Sequence, residues 1–454
     1  METAPPSDWK SALRTFAFAL LAVAILLGLV TEQYQTATDR AQSKKATLLV
    51  RGGDTFMGLY YIAHGANWPE DDAAWFLQSA YELYLSAAKA DPHGFRAKMS
   101  LAMFVRTTGD VPEAASLMPP VVVGRTSQEE RNTLKSVYPI VGTPFPALIA
   151  LEKSHDYLFG YGAGPLMLAR AYREMDKQEQ ADRVLSEAAA GWRPLLYRML
   201  AVAAFNGLMV LAGLVGLVVA LLLRRRAEPA PFPEKRWGLR EATEALLLWV
   251  VAMGVLGIGV AGLAVQSEPP LWLILLPSVL AGLLAIDWVW LAAGFQADFG
   301  WRLSGAPRQA AIGLCTAGLA VMPALALHQV LLTVLGRSPL DNPVIPLLVA
   351  PEGLVDKITL VIGAGLVAPA LEETLFRGVL FGALRQRWSF WPAAAASSAL
   401  FSAVHFDLAG AASYFLLGLV FAYLFERTRS LVAPAVAHAG FNLFNLAVIL
   451  ALFG

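Results

Sequence analysis

The residues best suited to chemistry cluster in the last hundred positions of the chain. In the segment APALEETLFRGVL, Glu372, Glu373 and Arg377 interrupt an otherwise apolar helical pattern. A charged group at the centre of a membrane span costs roughly 2.5–3.5 kcal/mol on insertion scales, so one that persists marks a functional position. Glu373 and Arg377 stand at i and i+4 with the acid first, the spacing of an intrahelical ion pair. Glu372 is turned about 100° around the helix and stays free to face another group. Pro369 removes one helical hydrogen bond and bends the backbone beside the acids. Two further apolar segments supply nitrogen bases. SALFSAVHF places Phe401 and His405 at i and i+4, and APAVAHAGFNLFN does the same for His438 and Asn442. Counted at about 1.5 Å per residue from flanking basic and tryptophan anchors, all these polar groups fall at similar depth.

Each residue taken alone has a plainer reading. Glu373 with Arg377 is also a structural clamp, a lone His405 a hydrogen-bonded core histidine, and a lone Asn442 helix–helix glue. Asp287, His328 and Asn445 lie in apolar runs with no motif around them and read as structural, as does the single cysteine, Cys315. Glu372, His405 and His438 together form a donor set for a catalytic zinc, which takes three protein ligands and a water. No H-E-x-x-H occurs, so zinc stays an open alternative to a cofactor-free site. Intramembrane acids and histidines also build proton relays, so an ion- or proton-coupled transporter is the rival class. The paired broken segments of an inverted-repeat transporter are not seen. A non-catalytic membrane scaffold is the third reading.

The elements that must position these residues are membrane helices. The chain is 57% hydrophobic and 15% charged, with 35 basic and 35 acidic residues, so it offers no field for nucleic acid. Apolar runs of spanning length fall at about 13–30, 198–223, 243–265, 271–294, 309–335, 357–381, 391–406, 409–425 and 431–453, about nine spans. The fold class expected is therefore an all-α polytopic membrane protein. The pair 391–406 and 409–425 is the shortest. Basic residues between the runs agree with one threading, with the N-terminus, Arg224–Arg226, Arg302, Arg308, Arg385, Arg387, Arg427 and Arg429 on the cytoplasmic side of a plasma (inner) membrane. Trp272, Trp301, Trp388 and Trp391 fall at span edges, as an aromatic belt requires.

This threading defines four regions: an uncleaved N-terminal anchor at 1–30, an exported helical domain at 31–196, a span with a basic linker at 197–240, and a membrane domain at 241–454. The exported stretch resembles tetratricopeptide repeats over about two units. Ala80, Tyr84, Ala87 and Pro92 fit a second helix, Leu101, Ala102 and Val105 the next first helix, and Ala114 follows Ala80 by the 34-residue period. Leu168, Ala169, Tyr172, Ala181, Leu185 and Ala188 repeat the small-residue pattern. Such a surface binds a protein partner and does no chemistry, and His64, His93 and His155 within it lack metal-ligand spacing.

EETLFR, FSAVH and HAGFN match the E-E-x-x-x-R, F-x-x-x-H and H-x-x-x-N motifs of the CPBP family, which unites type II CAAX prenyl endopeptidases with bacterial Abi and bacteriocin-processing relatives. All three motifs are present, in order, on separate apolar segments, and the resemblance covers about residues 240–453. It implies an intramembrane endopeptidase acting on a peptide or membrane-protein substrate. Carried over, Glu372 and His405 activate a water, while His438 and Asn442 donate hydrogen bonds to the oxyanion. Glu373 and Arg377 hold the first helix, with Phe401 packed beneath His405. The resemblance favours a glutamate-activated water without a required metal.

Overall fold

The computed structural model describes residues 45–108, 111–118, 158–222, 235–266, 270–336 and 353–453, with single positions between 127 and 141 and at 232. Among these residues all regular structure is helical. Six helices are long and apolar enough to cross a bilayer, which makes the chain an integral membrane protein. The span expected at 13–30 lies outside the described residues. Contacts divide the chain into two compact units that part inside one helix, near Val202.

The first unit is built from a helix over 45–65 (α1), α2 (Glu70–Ala90), α3 (Phe95–Thr108), α4 (Val111–Leu117), α5 (Gly164–Glu174) and the start of α6 (Gln178–Leu222). Ala80, Tyr84, Ala87, Ala102, Ala114, Leu168, Ala169 and Ala181 are all buried. Pro92 lies in the turn between α2 and α3. Buried polar groups here have partners: Arg106 grips both oxygens of Glu174 at 3.1 and 2.8 Å, and Asp54 accepts from Tyr84 at 2.7 Å and from the Gly162 amide at 2.9 Å. A cavity of about 830 Å³ opens among α1, α2, α3 and α5, with Tyr60, Tyr81 and Phe104 on its wall and Arg170, Arg173 and Glu174 at its polar end.

The second unit holds α7 (Leu239–Gln266), α8 (Leu271–Ala292), α9 (Ala306–Leu335), the motif helix α10 (Leu354–Arg385), α11 (Phe390–Ala403), α12 (Ala411–Thr428) and α13 (Val432–Phe453). Its core surrounds α10: Leu375, Phe376, Val379, Leu380 and Phe381 pack against Ala242 and Ala245, Ala285 and Val289, Ala393 and Ala394, and Phe425. The faces left outside this core carry exposed apolar residues such as Leu283, Leu284, Met322 and Val330, as lipid-facing surfaces do. Trp272, Trp301, Trp388 and Trp391 are exposed.

Over the expected pair of spans at 391–406 and 409–425 the structure has two short helices. α11 has 14 residues and α12 has 18, and neither is among the six spanning helices. At about 1.5 Å per residue α11 rises about 20 Å, short of a hydrocarbon core about 30 Å thick. The two form a close hairpin, and its turn is built by short-range polar bonds. Asp407 accepts from the Ala409 amide at 3.1 Å, and Ser402 Oγ donates to the Ala411 carbonyl at 2.8 Å.

Candidate active site

Pro369 sits at the start of a short α-helical piece, Ala368–Glu373, that lies between two π-helical stretches, Gly363–Val367 and Thr374–Phe381. The wider i→i+5 winding redirects backbone groups, and π turns recur at functional sites for that reason. Neighbouring helices complete the second stretch. Ser397 Oγ donates to the Phe376 carbonyl at 3.0 Å, and Trp237 Nε1 donates to the Val379 carbonyl at 3.2 Å. Trp301 Nε1 reaches Thr374 Oγ1 at 3.0 Å, while Thr374 bonds back to the Ala370 carbonyl at 2.7 Å. The irregular helix that carries the acids is thus held from α11, from the approach to α7 and from the loop after α8.

Glu373 and Arg377 pair at 3.0 Å, both side chains fully inaccessible to solvent. Arg377 also donates to the Gly418 carbonyl of α12 at 3.3 Å, and its guanidinium lies over the rings of Phe401 (4.4 Å) and Phe421 (5.2 Å). Gly418 permits this: a Cβ there would stand 2.7 Å from Ser398 Cβ, so a side chain would push α11 and α12 apart.

The same Glu373 oxygen that meets Arg377 accepts a hydrogen bond from His438 Nδ1 at 2.9 Å. The His438 ring is stacked on Phe421 (5.0 Å, 21°) and turns Nε2 toward Glu372, 3.8 Å from its Oε2. Glu372 is partly open, with 23% of its side chain exposed, yet its Oε2 is enclosed with no hydrogen-bond partner. The two acids therefore differ as their helical phase suggests, one clamped and one left free.

His405 is not on a helix. α11 ends at Ala403 and His405 follows in the turn, where Nδ1 meets the Phe401 carbonyl at 2.7 Å. Phe401 packs edge-on against His405 (4.8 Å) and against His438 (5.7 Å), so one ring separates the two imidazoles. His405 makes no direct bond to Glu372, and its ring instead stacks on Tyr414 (4.2 Å, 20°). Asn442 projects from the same helix as His438 and donates from Nδ2 to the Ala364 carbonyl in the first π stretch, at 2.9 Å.

Glu372, Glu373, Arg377 and His438 are thus brought together directly, Phe401 joins His405 to them, and Asn442 braces the motif helix from α13. The zinc donor set is not assembled: among the described residues no three His, Cys, Asp or Glu side chains gather as a metal site would need. The motifs pointed to α10, α11 and α13 but not to α12, which supplies Gly418, Phe421 and Tyr414. Only a glycine and a tyrosine in its apolar run hinted at that.

Comparison with known proteins covers the stretch that holds this site. A family profile described as type II CAAX prenyl endopeptidase Rce1-like matches residues 354–444, the stretch from α10 to α13 that carries every motif. Among individual proteins, the "Putative membrane peptidase YdiL" of Bacillus subtilis (strain 168) is 39% identical over 85 residues, which is 19% of this chain and 35% of that protein. An "Uncharacterized 24.3 kDa protein" of Escherichia coli is 33% identical over 102 residues, 21% of this chain and 47% of that protein. The chain thus spans between a third and a half of the length of these relatives. No solved structure matches it significantly.

Proposed function

We propose that this protein is an intramembrane endopeptidase that hydrolyses a peptide bond of a membrane-protein or peptide substrate with a water activated by Glu372. The observation that carries the reading is the enclosed, unpartnered Oε2 of Glu372 beside His438, while its neighbour Glu373 is neutralised by Arg377. Glu373 Oε2 also lacks a partner, but its other oxygen is held by Arg377 and His438, which leaves Glu372 as the carboxylate placed to take a proton from water. Glu372 takes a proton from water, the hydroxide oxygen bonds to the scissile carbonyl carbon, and the carbonyl oxygen becomes the oxyanion. The proton then passes to the amide nitrogen, the C–N bond breaks, and acid and amine leave.

His405 orients the water through the nitrogen not used by the Phe401 carbonyl. The second N–H of Asn442, beyond the one given to Ala364, serves the oxyanion. His438 gives its Nδ1 proton to Glu373, so Nε2 donates to the oxyanion only as the imidazolium. The steps above use no metal, as the motif resemblance favours. We further propose that the N-terminus is cytoplasmic in the plasma (inner) membrane, that residues 31–196 are exported, and that their cavity-bearing helices engage a protein partner.

The test is cleavage of a peptide or membrane-protein library by the purified full chain. Glu372→Gln keeps shape and hydrogen bonding but removes the base, and His405→Ala removes the water's second anchor, so either should bring hydrolysis close to background. Asn442→Ala should cost about 10²–10³-fold in turnover, the usual loss for one oxyanion donor. Undiminished cleavage by Glu372→Gln would refute the mechanism.

A further inference from the structure

The hairpin turn that carries His405 contains polar groups that none of the three motifs includes. His405 is half-buried, and a carbonyl can only accept, so its contact with the Phe401 carbonyl places a proton on Nδ1. Nε2 of the neutral ring is then a bare lone pair. An imidazole at the exit of a helix has rotational freedom, however, and a half turn of the ring would exchange the Nδ1 and Cδ2 edges. Tyr414 holds the ring in the plane where Nδ1 meets the Phe401 carbonyl, a bond the flipped ring would lose. Its ring lies nearly parallel to the imidazole at 4.2 Å, and Phe401 closes the other approach edge-on at 4.8 Å.

Tyr414 is itself held. Its hydroxyl donates to Asp407 Oδ2 at 3.3 Å, while the other oxygen of Asp407 accepts from the Ala409 amide at 3.1 Å. Gly410 gives both groups their room. A Cβ at Gly410 would stand 2.3 Å from a Tyr414 ring carbon and 2.7 Å from Asp407 Oδ2, too close for either to stay. The turn therefore forms one unit, in which Asp407 fixes Tyr414, Tyr414 fixes the plane of His405, and Gly410 is the space that allows it.

We propose that Tyr414, held by Asp407 over Gly410, is a positioning residue that keeps His405 in its Nδ1-protonated tautomer with Nε2 presented to the reacting water. This rests on the peptidase reading for the identity of the water, but the tautomer is a property of the ring and is measurable without any substrate.

The experiment uses full-length protein with ¹⁵N-labelled histidine in lipid bilayers, with the His405 signals assigned by their loss in His405→Gln. The wild type should show His405 protonated at Nδ1 and bare at Nε2. Tyr414→Leu should convert it to a mixture of both tautomers and leave the His438 signals unmoved. Tyr414→Phe keeps the stacked ring and should keep the wild-type tautomer. Gly410→Ala, which leaves the tyrosine in the chain but takes its space, should reproduce the Tyr414→Leu spectrum. In cleavage, Tyr414→Leu should lower kcat about 10- to 100-fold, as a small misplacement of a catalytic group does, with KM nearly unchanged, and Tyr414→Phe should restore most of it. A wild-type spectrum with Nε2 protonated, or a His405 tautomer indifferent to Tyr414→Leu and Gly410→Ala, would overturn the proposal. If the wild type cleaves nothing, the peptidase reading fails while the spectra still decide the role of Tyr414.

Discussion

Arg377→Met tests how the site is held together. The substitution removes a guanidinium that is wholly buried, paired with Glu373 at 3.0 Å and bonded to the Gly418 carbonyl. It leaves Glu373 as an inaccessible carboxylate whose remaining partner is His438. Breaking a buried pair from one side costs about 3–5 kcal/mol, chiefly from the stranded charge. Glu373→Gln strands the arginine instead and should cost a similar amount. The double variant strands nothing, and a neutral pair of similar volume is often close to the original in stability, so it should lie within about 1–2 kcal/mol of wild type. Independent effects would instead add to about 6–10 kcal/mol. Denaturant unfolding of the four proteins in micelles closes the cycle. Cleavage supplies a second reading: the double variant should recover stability but not activity, because His438 loses the carboxylate that orients its Nδ1. An Arg377→Met protein within about 1 kcal/mol of wild type, or a double variant equal to the sum of the singles, would refute the clamp.

Other expectations follow from features outside the site. A periplasm-active reporter fused after Gln180 should be active and a cytoplasm-active one silent, and the reverse would overturn the orientation. Burial holds the Lys235 ammonium down at about 8 from an ordinary 10.5, with Nζ donating to the Asp298 carbonyl. Between those values the unfolded chain binds more protons, so stability should rise from about pH 8 to about pH 10.5. That slope should vanish in Lys235→Met, and a wild type indifferent to pH across this window would contradict it. Arg106→Ala should destabilise the first unit strongly, since it removes the bidentate partner of Glu174, whose carboxyl is held low by Arg106. Thermal unfolding identical to wild type would count against that.

Much of the site was legible because membrane cost makes polar residues conspicuous. The i,i+4 spacing predicted the Glu373–Arg377 pair, and the helical phase predicted that Glu372 would stand apart from it. The 3.6-residue period hid the rest. His405 continued an apolar run, so a span through 406 was expected. Yet Asp407 and Gly410 just beyond it are turn residues, and they end the hairpin there. Pro369 marked a bend beside the acids, but the second π stretch was not legible, because its Phe376 and Val379 carbonyls are satisfied by Ser397 and Trp237 from other elements. The oxyanion role expected for His438 took no account of which nitrogen Glu373 would occupy. Tyr414, Gly418 and Phe421 sit on a helix without a motif, and their part comes from tertiary neighbours alone.

The π winding of Thr374–Phe381 also sets the phase of everything after it. A π turn accommodates a residue that an α-helix has no place for, so the stretch works as a one-residue insertion absorbed without a loop. Arg385, just past it, meets Glu426 with two bonds of 3.1 and 3.0 Å. Removing a single residue from 374–381 would let the helix close into regular α form with its own hydrogen bonds intact. It would also withdraw the Phe376 and Val379 carbonyls from Ser397 and Trp237, which now hold them. A change that heals the helix would thus unlock it from its neighbours, so this segment should tolerate substitution far better than any shift in length.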